Sequence, residues 1–236
     1  MEAYRYLAKI YDDCMFDVDY SAWYGYIKSL LDEYGSAGEI LETGCGTGNI
    51  TQYLARDFDV IATDCSCEML DIARTKAHAK FVCADMNNFR RDKKCAAVVS
   101  AMDAVNYLTE GAERFFSCAF ENLAPGGVLL FDISSEYKLR HIVADDMFFD
   151  DSDEYTYLWT NELDGNILKM NISMFVPDGD VYRRFDEQHT QRIYKESELA
   201  SALGKAGFSM VKVYDFLSRN NPQPESERLQ FVAVKK

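Results

Sequence analysis

The 236-residue chain is poor in the residues that bind metals and nucleic acids. It has three histidines, which lie far apart, and its 25 Lys and Arg residues are outnumbered by 39 Asp and Glu, for a formal net charge of −14. Because nucleic-acid binding depends on basic side chains that neutralise phosphates, this charge disfavours broad nucleic-acid binding, although a tRNA substrate could still be reached through a local basic patch. We also expect no metal site, since Cys65-x-Cys67 is not a zinc spacing and no histidine cluster completes it.

Long apolar runs are missing as well. No stretch approaches the length of a membrane-spanning helix, and the segment from Met1 to Tyr6 lacks the profile of a secretory signal. The seven cysteines, an odd number, are scattered without the spacing of a disulfide framework. We therefore expect a cytoplasmic protein with reduced thiols and no membrane partner, folded as a single domain over residues 1–236.

Short apolar segments alternate with helical ones between residues 38 and 134. The predicted strands are Glu39–Thr43, Phe58–Thr63, Lys80–Cys83, Ala96–Ser100 and Gly127–Ile133. The predicted helices between them are Asn49–Arg56, Glu68–Lys76 and Glu113–Asn122. Further helices are predicted in residues 1–34, where apolar side chains recur at helical spacing. Such alternation favours an α/β fold, in which a parallel sheet has helices on both faces.

The pattern changes in the second half of the chain. Residues 145–154 are heavily acidic, which predicts a solvated surface. Three segments rich in β-forming residues follow, at Tyr155–Asn161, Ile167–Val176 and Val181–Gln191, and turn-forming residues separate them. We therefore predict a three-stranded antiparallel insertion at 145–191 that acts as a lid, because insertions of this length tend to be binding elements.

The α/β pattern resumes after the insertion. Glu196–Ala206 is a predicted helix that ends at Gly207. Two strands follow, at Phe208–Phe216 and Arg228–Val234, and no helix is predicted between them. These last strands are therefore predicted to form an antiparallel hairpin.

One motif carries most of the functional information. An apolar strand runs directly into glycines with the spacing G-x-G-x-G, at Gly44, Gly46 and Gly48. Glycine permits turns and close ligand approach that a Cβ forbids. Glu42 precedes the glycines, and Asp64 ends the next apolar strand about twenty residues on, the spacing at which α/β cofactor sites place a carboxylate on a ribose. We therefore predict a site for an adenosine-containing cofactor.

The glycine spacing also bears on the class of cofactor. Dinucleotide-binding proteins use G-x-G-x-x-G, whereas here Asn49 stands at the position of the last glycine and the loop has no Lys or Arg for a phosphate. A nicotinamide-dependent oxidoreductase therefore stays open as an alternative that the spacing disfavours. The simplest alternative is a tight turn that binds no ligand, because glycine occurs in turns of every kind.

The segment Glu42-x-Gly44-Cys45-Gly46-Thr47-Gly48 resembles motif I of the class I S-adenosylmethionine (AdoMet)-dependent methyltransferases. Residues 4–12, Tyr-x-x-Leu-Ala-x-x-Tyr-Asp, and 189–194, His-x-Gln-Arg-x-Tyr, are similar to segments of small bacterial members of that family. The resemblance implies a Rossmann-like fold with a seven-stranded, mostly parallel sheet that ends in an antiparallel hairpin. It also implies AdoMet as the cofactor and methyl transfer to a small-molecule acceptor.

The resemblance further implies a set of cofactor-binding residues. They are Tyr11, Trp23, Glu42, Gly44, Cys45, Gly46, Gly48, Asp64, Cys65, Met69, Asp85, Met86, Met102 and Asp103. Within this set, Asp64 would accept hydrogen bonds from both ribose hydroxyls and Asp85 one from the adenine amino group. Each also has a simpler interpretation, since Asp64 could cap the following helix and Asp85 could form a turn. Trp23 and Tyr11 fit core packing at least as well.

The acceptor side is less defined. Asn106, Tyr107 and His189 are candidates there, but no catalytic residue is assigned, because an amine that has lost its proton needs no strong base. Three alternatives to small-molecule methyl transfer stay open: the oxidoreductase, a tRNA-modifying methyltransferase and a non-catalytic scaffold that binds AdoMet. We expect a monomer or a homodimer.

Overall fold

The structure is a computed structural model that describes residues 7–35 and 37–236. Its strands are β1 (Ile40–Thr43), β2 (Val60–Asp64), β3 (Lys80–Cys83), β4 (Cys95–Ser100), β5 (Leu123–Ser134), β6 (Phe148–Asp151), β7 (Thr156–Asp164), β8 (Ile167–Asp178), β9 (Val181–Arg192), β10 (Met210–Asp215) and β11 (Arg228–Val234). Its α-helices are α1 (Tyr11–Cys14), α2 (Tyr20–Tyr34), α3 (Thr51–Asp57), α4 (Cys67–Lys76), α5 (Glu113–Asn122), α6 (Glu136–Lys138) and α7 (Glu196–Ala206). The 3₁₀ turns Leu7–Lys9 and Ala104–Tyr107 and the π turn Leu139–Val143 complete the helical elements of this part of the chain.

Within the described residues, a seven-stranded sheet has the strand order β10-β11-β5-β4-β1-β2-β3. Strands β1 to β5 pair in parallel, whereas β11 runs antiparallel to both β5 and β10. The predicted α/β fold and the predicted antiparallel hairpin are thus confirmed. The central strand β1 is buried along its whole length, which explains why it is read from the sequence as an apolar run.

Each face of this sheet has its own hydrophobic core. On one face, α5 and α7 pack on aromatic side chains of β5 and β11, where the rings of Phe131 and Phe231 stack with centroids 4.7 Å apart. On the other face, α2 buries Trp23, Ile27 and Leu30. The helices therefore stabilise the sheet from both sides and leave the carboxyl ends of the strands for a site.

The insertion is an antiparallel sheet with the order β6-β7-β8-β9 in the described chain, so the predicted count of three strands was wrong. The missed strand is β6, which lies inside the acidic run and pairs with β7. Phe148 packs on Trp159 with ring centroids 5.1 Å apart, while Phe149 is 69% exposed. This edge strand has four residues, and only one aromatic side chain packs inward. Its alternation of apolar and polar residues is therefore too short to predict a strand.

The N-terminal segment lies between the two sheets. Leu7 is buried with Ile172 and Met174 of the insertion, and its backbone N–H donates to Glu187 on β9 at 2.9 Å. The part of the predicted helical segment that falls on residues 1–6 lies outside the described residues. Because α1 follows directly, this packing places Tyr11 beside both the insertion and the large sheet.

Candidate active site

The loop after β1 is the centre of the site. Gly44 and Gly46 adopt positive φ angles of 67° and 55°. A Cβ on Gly44 would approach the Ala104 Cβ to 2.7 Å, so a larger residue would force the loop away from its neighbour. At Gly46 nothing lies within 4 Å of such a Cβ, because this part of the loop faces an open cavity.

This first cavity, of about 480 Å³, lies at the carboxyl ends of β1, β2 and β4. Open α/β sheets bind their ligands at this edge. The structure brings together ten of the predicted cofactor residues in its lining: Tyr11, Glu42, Gly44, Cys45, Gly46, Asp64, Cys65, Met69, Met86 and Met102. Tyr107, predicted for the acceptor side, lines it as well.

Further residues of the lining were not predicted. They are Tyr20, Thr47, Asn49, Ile50, Ser66, Cys67, Glu68, Ala101 and Ala104. Most lie one or two positions from a predicted residue, so extending each motif along its loop would have found them. Tyr20 comes from the first turn of α2, three positions before the predicted Trp23, and the sequence does not indicate that Tyr20 lines the cavity and Trp23 does not.

Asp64 is fixed by backbone donors. Its two carboxylate oxygens accept hydrogen bonds from the N–H groups of Gly46 at 2.9 Å and Ser66 at 2.8 Å. Burial raises the pKa of Asp64, and these two N–H groups oppose the shift. An ionised carboxylate offers about four lone-pair positions, so two donors leave capacity for further hydroxyl groups.

Glu42 is a buried acid at the end of β1 that also lines the first cavity. Burial raises the pKa of its carboxyl group to about 8; the Thr51 side chain opposes the shift and the Asp64 charge adds to it. Its Oε2 atom has no hydrogen-bond partner within the described residues. A buried acceptor without a donor is costly in a protein interior, so this atom fits a site whose ligand brings a donor or a cation.

Four predicted cofactor residues, Trp23, Gly48, Asp85 and Asp103, lie outside this lining in the part of the chain that the structure describes. A Cβ on Gly48 would meet the Ala73 Cβ at 2.9 Å, so this glycine lets the loop pack on α4. Asp85 is exposed, and its carboxylate accepts from Asn87 N–H at 2.8 Å and Asn88 Nδ2 at 2.9 Å. The Asp85 carboxylate thus stabilises the turn after β3, and its contact with adenine stays a prediction.

A second cavity, of about 250 Å³, adjoins the first, and Tyr11, Met102 and Tyr107 line both. The insertion supplies a large part of its wall through Tyr157, Trp159, Met170, Ile172, His189 and Gln191. The N-terminal segment and the helical turns after β5 supply most of the rest, with Leu7, Cys14, Met15, Lys138, Leu139 and Val143. Apolar and aromatic side chains predominate in this lining, and its polar side chains are Asp103, Ser134, Lys138, His189, Gln191 and Arg228.

One of these polar groups is a buried imidazole. His189 Nε2 lies 3.1 Å from Glu187 Oε2, and both side chains are buried. The other Glu187 oxygen accepts the Leu7 N–H, so the carboxylate orients the imidazole from a fixed position. The Tyr107 ring meets the His189 ring edge-on, with centroids 6.2 Å apart. The structure thus brings Tyr107 and His189 together in the second cavity, and their role on the acceptor side stays a prediction.

Trp23 and Asn106 lie outside the lining of both cavities, as far as residues 7–35 and 37–236 show. The Trp23 ring packs on Phe216 with centroids 4.2 Å apart, within the core under α2. Asn106 is fully buried, donates to the carbonyls of Ser134 and Arg192, and accepts from the Ser134 N–H. Because backbone groups occupy the Asn106 amide, this residue joins β5 to β9 instead of facing the acceptor cavity.

The N-terminal segment is tied to the glycine loop through Asp12. Its Oδ1 accepts from Thr47 Oγ1 at 2.7 Å and from Asn49 Nδ2 at 2.8 Å, and its Oδ2 pairs with Lys76 of α4. Burial alone would raise the pKa of Asp12, but these partners lower it. The ionised carboxylate thus holds Tyr11 over the junction of the two cavities.

Comparisons with known proteins identify the family. Residues 40–127 match the family described as Methyltransferase domain. The protein YqeM of Bacillus subtilis (strain 168), named as a methyltransferase, is 34% identical over 242 residues that cover 98% of this chain and 97% of YqeM. The crystal structure of an S-adenosylmethionine-dependent methyltransferase from Clostridium acetobutylicum ATCC 824 has a TM-score of 0.88 at 32% identity and covers 99% of each chain.

A further relative is the dTDP-3-amino-3,4,6-trideoxy-alpha-D-glucopyranose N,N-dimethyltransferase of Streptomyces venezuelae, 28% identical over 197 residues that cover 80% of this chain and 83% of that protein. The chain therefore belongs to the methyltransferase-domain family and is an AdoMet-dependent methyltransferase. The predicted family, fold, cofactor and reaction are confirmed. These relatives give no support to the oxidoreductase, tRNA-modifying or scaffold alternatives.

The residues of the first cavity fit AdoMet. Asp64 has free acceptor capacity for hydroxyl groups, the loop at Gly46 is open, and the unpaired Glu42 oxygen suits a cationic amino group.

Among the described residues, no cluster of three or more His, Cys, Asp or Glu side chains is arranged to hold a metal ion. No helix of the described chain is both long enough and apolar enough to cross a membrane.

Proposed function

We propose that the chain methylates a small molecule whose acceptor atom enters through the second cavity. A single observation carries this proposal: Tyr11, Met102 and Tyr107 line both cavities, so an acceptor and a methyl donor would meet at these three residues. A cavity of about 250 Å³ suits a small molecule. Bringing both reactants together in a fixed orientation is the main contribution expected of such a site.

In the first cavity, we assign the ribose to Asp64 and the amino-acid part to the loop of Gly44 to Gly46 and to Glu42. When bound, AdoMet supplies an activated methyl group on a sulfonium, so the protein needs no covalent chemistry of its own. Tyr11 and Tyr107 place aromatic faces near the junction, and such faces suit a cation. Cys65, Met69 and Met86 then provide an apolar and polarisable wall for adenine.

We assign the acceptor atom to a nitrogen. The Streptomyces venezuelae relative is named as an N,N-dimethyltransferase of an amino sugar nucleotide, which supports this choice. His189 is the residue of the second cavity best suited to accept the proton of an ammonium group, because Glu187 orients its imidazole. An amine that arrives already deprotonated would need no such base.

The insertion at 145–191 is proposed to be the lid over the acceptor within a single domain of residues 1–236. Its contribution to the cavity wall includes Tyr157 and Trp159 of β7 and Met170 of β8, which supports this role. The helices in residues 1–34 would close the same site from the other side through Tyr11.

We keep three predictions as proposals: a cytoplasmic location, supported by seven free thiols; the absence of nucleic-acid partners, supported by the charge of −14; and a monomer or homodimer.

The acceptor class is tested with AdoMet labelled in the methyl carbon. The full chain is incubated with separate pools of small amines, hydroxyl compounds, carboxylic acids and total tRNA, and the label is followed into product. We expect label in an amine pool. Label in tRNA or in hydroxyl compounds alone would contradict the proposed acceptor, while leaving the AdoMet-dependent reaction intact.

The lid is tested with Trp159→Ala and the identified acceptor. Because the indole forms part of the acceptor cavity, we expect kcat/KM to fall by about tenfold or more, with unchanged affinity for S-adenosylhomocysteine. Leu158→Ala is the matched control, since Leu158 precedes Trp159 on β7, points to the other face and is 40% exposed. An equal loss of S-adenosylhomocysteine affinity in Trp159→Ala would count against a lid confined to the acceptor.

A further inference from the structure

Two consecutive residues between the cavities have an unusual backbone. Met102 and Asp103 follow β4 with φ angles of 61° and 52°, in the left-handed region that non-glycine residues seldom occupy. Met102 lines both cavities and Asp103 lines the second. Strained backbone of this kind persists only where the surroundings hold it, and it is concentrated at functional sites.

The carboxylate of Asp132 on β5 holds this turn. Its Oδ1 accepts the Met102 N–H at 2.8 Å and its Oδ2 the Asp103 N–H at 3.0 Å. Successive N–H groups that converge on one anion form a nest, and in this protein the anion is a buried side chain of the neighbouring strand. Asp132 thus compensates locally for the strain of the left-handed pair.

Arg228, at the start of β11, completes the arrangement. Its guanidinium pairs with Asp132 Oδ2 and, at 2.8 Å, with Asp103 Oδ1. The guanidinium carbon lies 5.1 Å from the centroid of the Trp23 ring and 5.9 Å from that of Phe216. Trp23, first predicted to cover the cofactor, therefore supports the arginine. From the insertion, Gln191 donates to the other Asp103 oxygen at 2.7 Å.

Fold stability alone does not explain this network. Burying an arginine with two carboxylates costs desolvation, and replacing such groups by apolar residues is often neutral or stabilising. Here the groups converge on a two-residue segment that forms the wall between the two cavities. Their common effect is to fix where the Met102 and Asp103 backbone lies.

We propose that Asp132 and Arg228 are positioning residues, which hold the left-handed turn Met102–Asp103 in the conformation that AdoMet binding and acceptor approach require. The inference rests on AdoMet-dependent methyl transfer and on the junction of the two cavities, and not on the identity of the acceptor. Asp132 lines neither cavity and Arg228 lines only the second, so neither residue needs to touch the cofactor. Gln191 extends the same network to the insertion, so the turn connects the lid with the cofactor cavity.

The test compares Asp132→Asn, Arg228→Gln and Arg228→Lys with Arg91→Gln in the full-length chain. Arg91 pairs with Glu39 next to the amino end of β1, and both side chains are 14% exposed, so this variant removes an ion pair of similar burial away from the cavities. Isothermal titration gives the Kd for S-adenosylhomocysteine, and a thermal melt gives Tm. Hydrogen exchange follows the amides of residues 101–106.

We expect Asp132→Asn and Arg228→Gln to weaken S-adenosylhomocysteine binding by about tenfold or more, as for the loss of a hydrogen bond to a charged group. Arg228→Lys keeps the charge but not the two-pronged geometry, so its Kd should lie between wild type and Arg228→Gln. Arg91→Gln should lower Tm while its Kd stays within about twofold of wild type. Exchange at residues 101–106 should accelerate in the Arg228 variants and not in Arg91→Gln.

Unchanged Kd values and unchanged exchange in the Arg228 and Asp132 variants would overturn this inference and leave the assignment of AdoMet to the first cavity intact. If Arg228→Gln does not fold, Arg228→Lys decides, because wild-type affinity and exchange in that variant contradict the proposal. Unchanged affinity together with lost acceptor turnover would assign Arg228 to the acceptor instead. Failure of the wild-type chain itself to bind S-adenosylhomocysteine would remove the AdoMet assignment and, with it, this inference.

Discussion

Replacing Asp64 by asparagine is expected to weaken binding of S-adenosylhomocysteine by about 100-fold or more. Two hydroxyl hydrogen bonds to a carboxylate are each worth about 1.5–3 kcal/mol, and every 1.4 kcal/mol changes Kd about tenfold. Asparagine keeps the shape but turns an NH₂ group toward donors that need an acceptor. The N–H groups of Gly46 and Ser66 would lose part of their partner as well, which loosens the loop. Isothermal titration of the purified chain measures the effect.

Asp71→Asn is the matched control for this substitution. Asp71 is an exposed carboxylate on α4 that pairs with Arg74, and its removal should leave Kd within about twofold. Asp85→Asn is a separate arm, which tests the predicted adenine contact. Because the Asp85 carboxylate bonds within its own turn, we expect a smaller loss than for Asp64→Asn. Wild-type affinity in Asp64→Asn would remove the ribose assignment.

The features that could be read from the sequence are those that local chemistry determines. The glycine spacing and the acid after the next strand lie within one βαβ unit, so their separation along the chain fixes their separation in space. Accordingly, Gly44, Gly46 and Asp64 meet in one cavity lining. The periodicity of α5 and α7 likewise predicted both helices with their bounds, since one face of each is continuous and apolar.

The features that could not be read depend on contacts between distant segments. Asp132 and Arg228 come together because β5 and β11 are neighbours in the sheet, and 96 positions separate them along the chain. A signal was present, since Asp132 is a charged residue within the predicted apolar strand Gly127–Ile133. Such a residue indicates a buried partner but does not identify it. The prediction that Asn106 faces the acceptor fails for a related reason. Its position in the chain does not reveal that backbone groups of Ser134 and Arg192 satisfy its amide.

Replacing Glu42 by glutamine is expected to raise the stability of the ligand-free protein at pH 7.5 and to weaken its cofactor binding. The pKa of Glu42 is raised by burial to about 8 from an ordinary 4.5. Below pH 4.5 the carboxyl is protonated in both the folded and the unfolded chain. Between pH 4.5 and 8 only the unfolded chain releases the proton, so the free energy of unfolding of the wild type falls as the pH rises. A glutamine side chain is neutral at every pH in this range, so it does not contribute to this pH dependence.

The advantage of Glu42→Gln should therefore grow from pH 5 to pH 8 and reach a few kcal/mol, since one pKa unit corresponds to about 1.4 kcal/mol. Denaturant melts at several pH values measure it. Glu39→Gln is the matched control of opposite sign, three positions earlier. Burial alone would raise the pKa of Glu39, but its pairing with Arg91 lowers it, so this variant should lose stability above pH 4.5. An advantage of Glu42→Gln that does not change with pH would contradict the buried-acid interpretation.

A stabilising substitution that impairs binding would show why an acid is kept at this position. Glu42 Oε2 is buried and lacks a hydrogen-bond partner among the described residues, and a buried acceptor without a donor lowers the free energy of unfolding. A cationic amino group in the first cavity would favour the ionised form and lower the pKa of Glu42. Binding of S-adenosylhomocysteine near pH 7 should then release a proton, which titration in buffers of different ionisation enthalpy detects. Glu42→Gln should bind without that release, and its stability and affinity should therefore change in opposite directions.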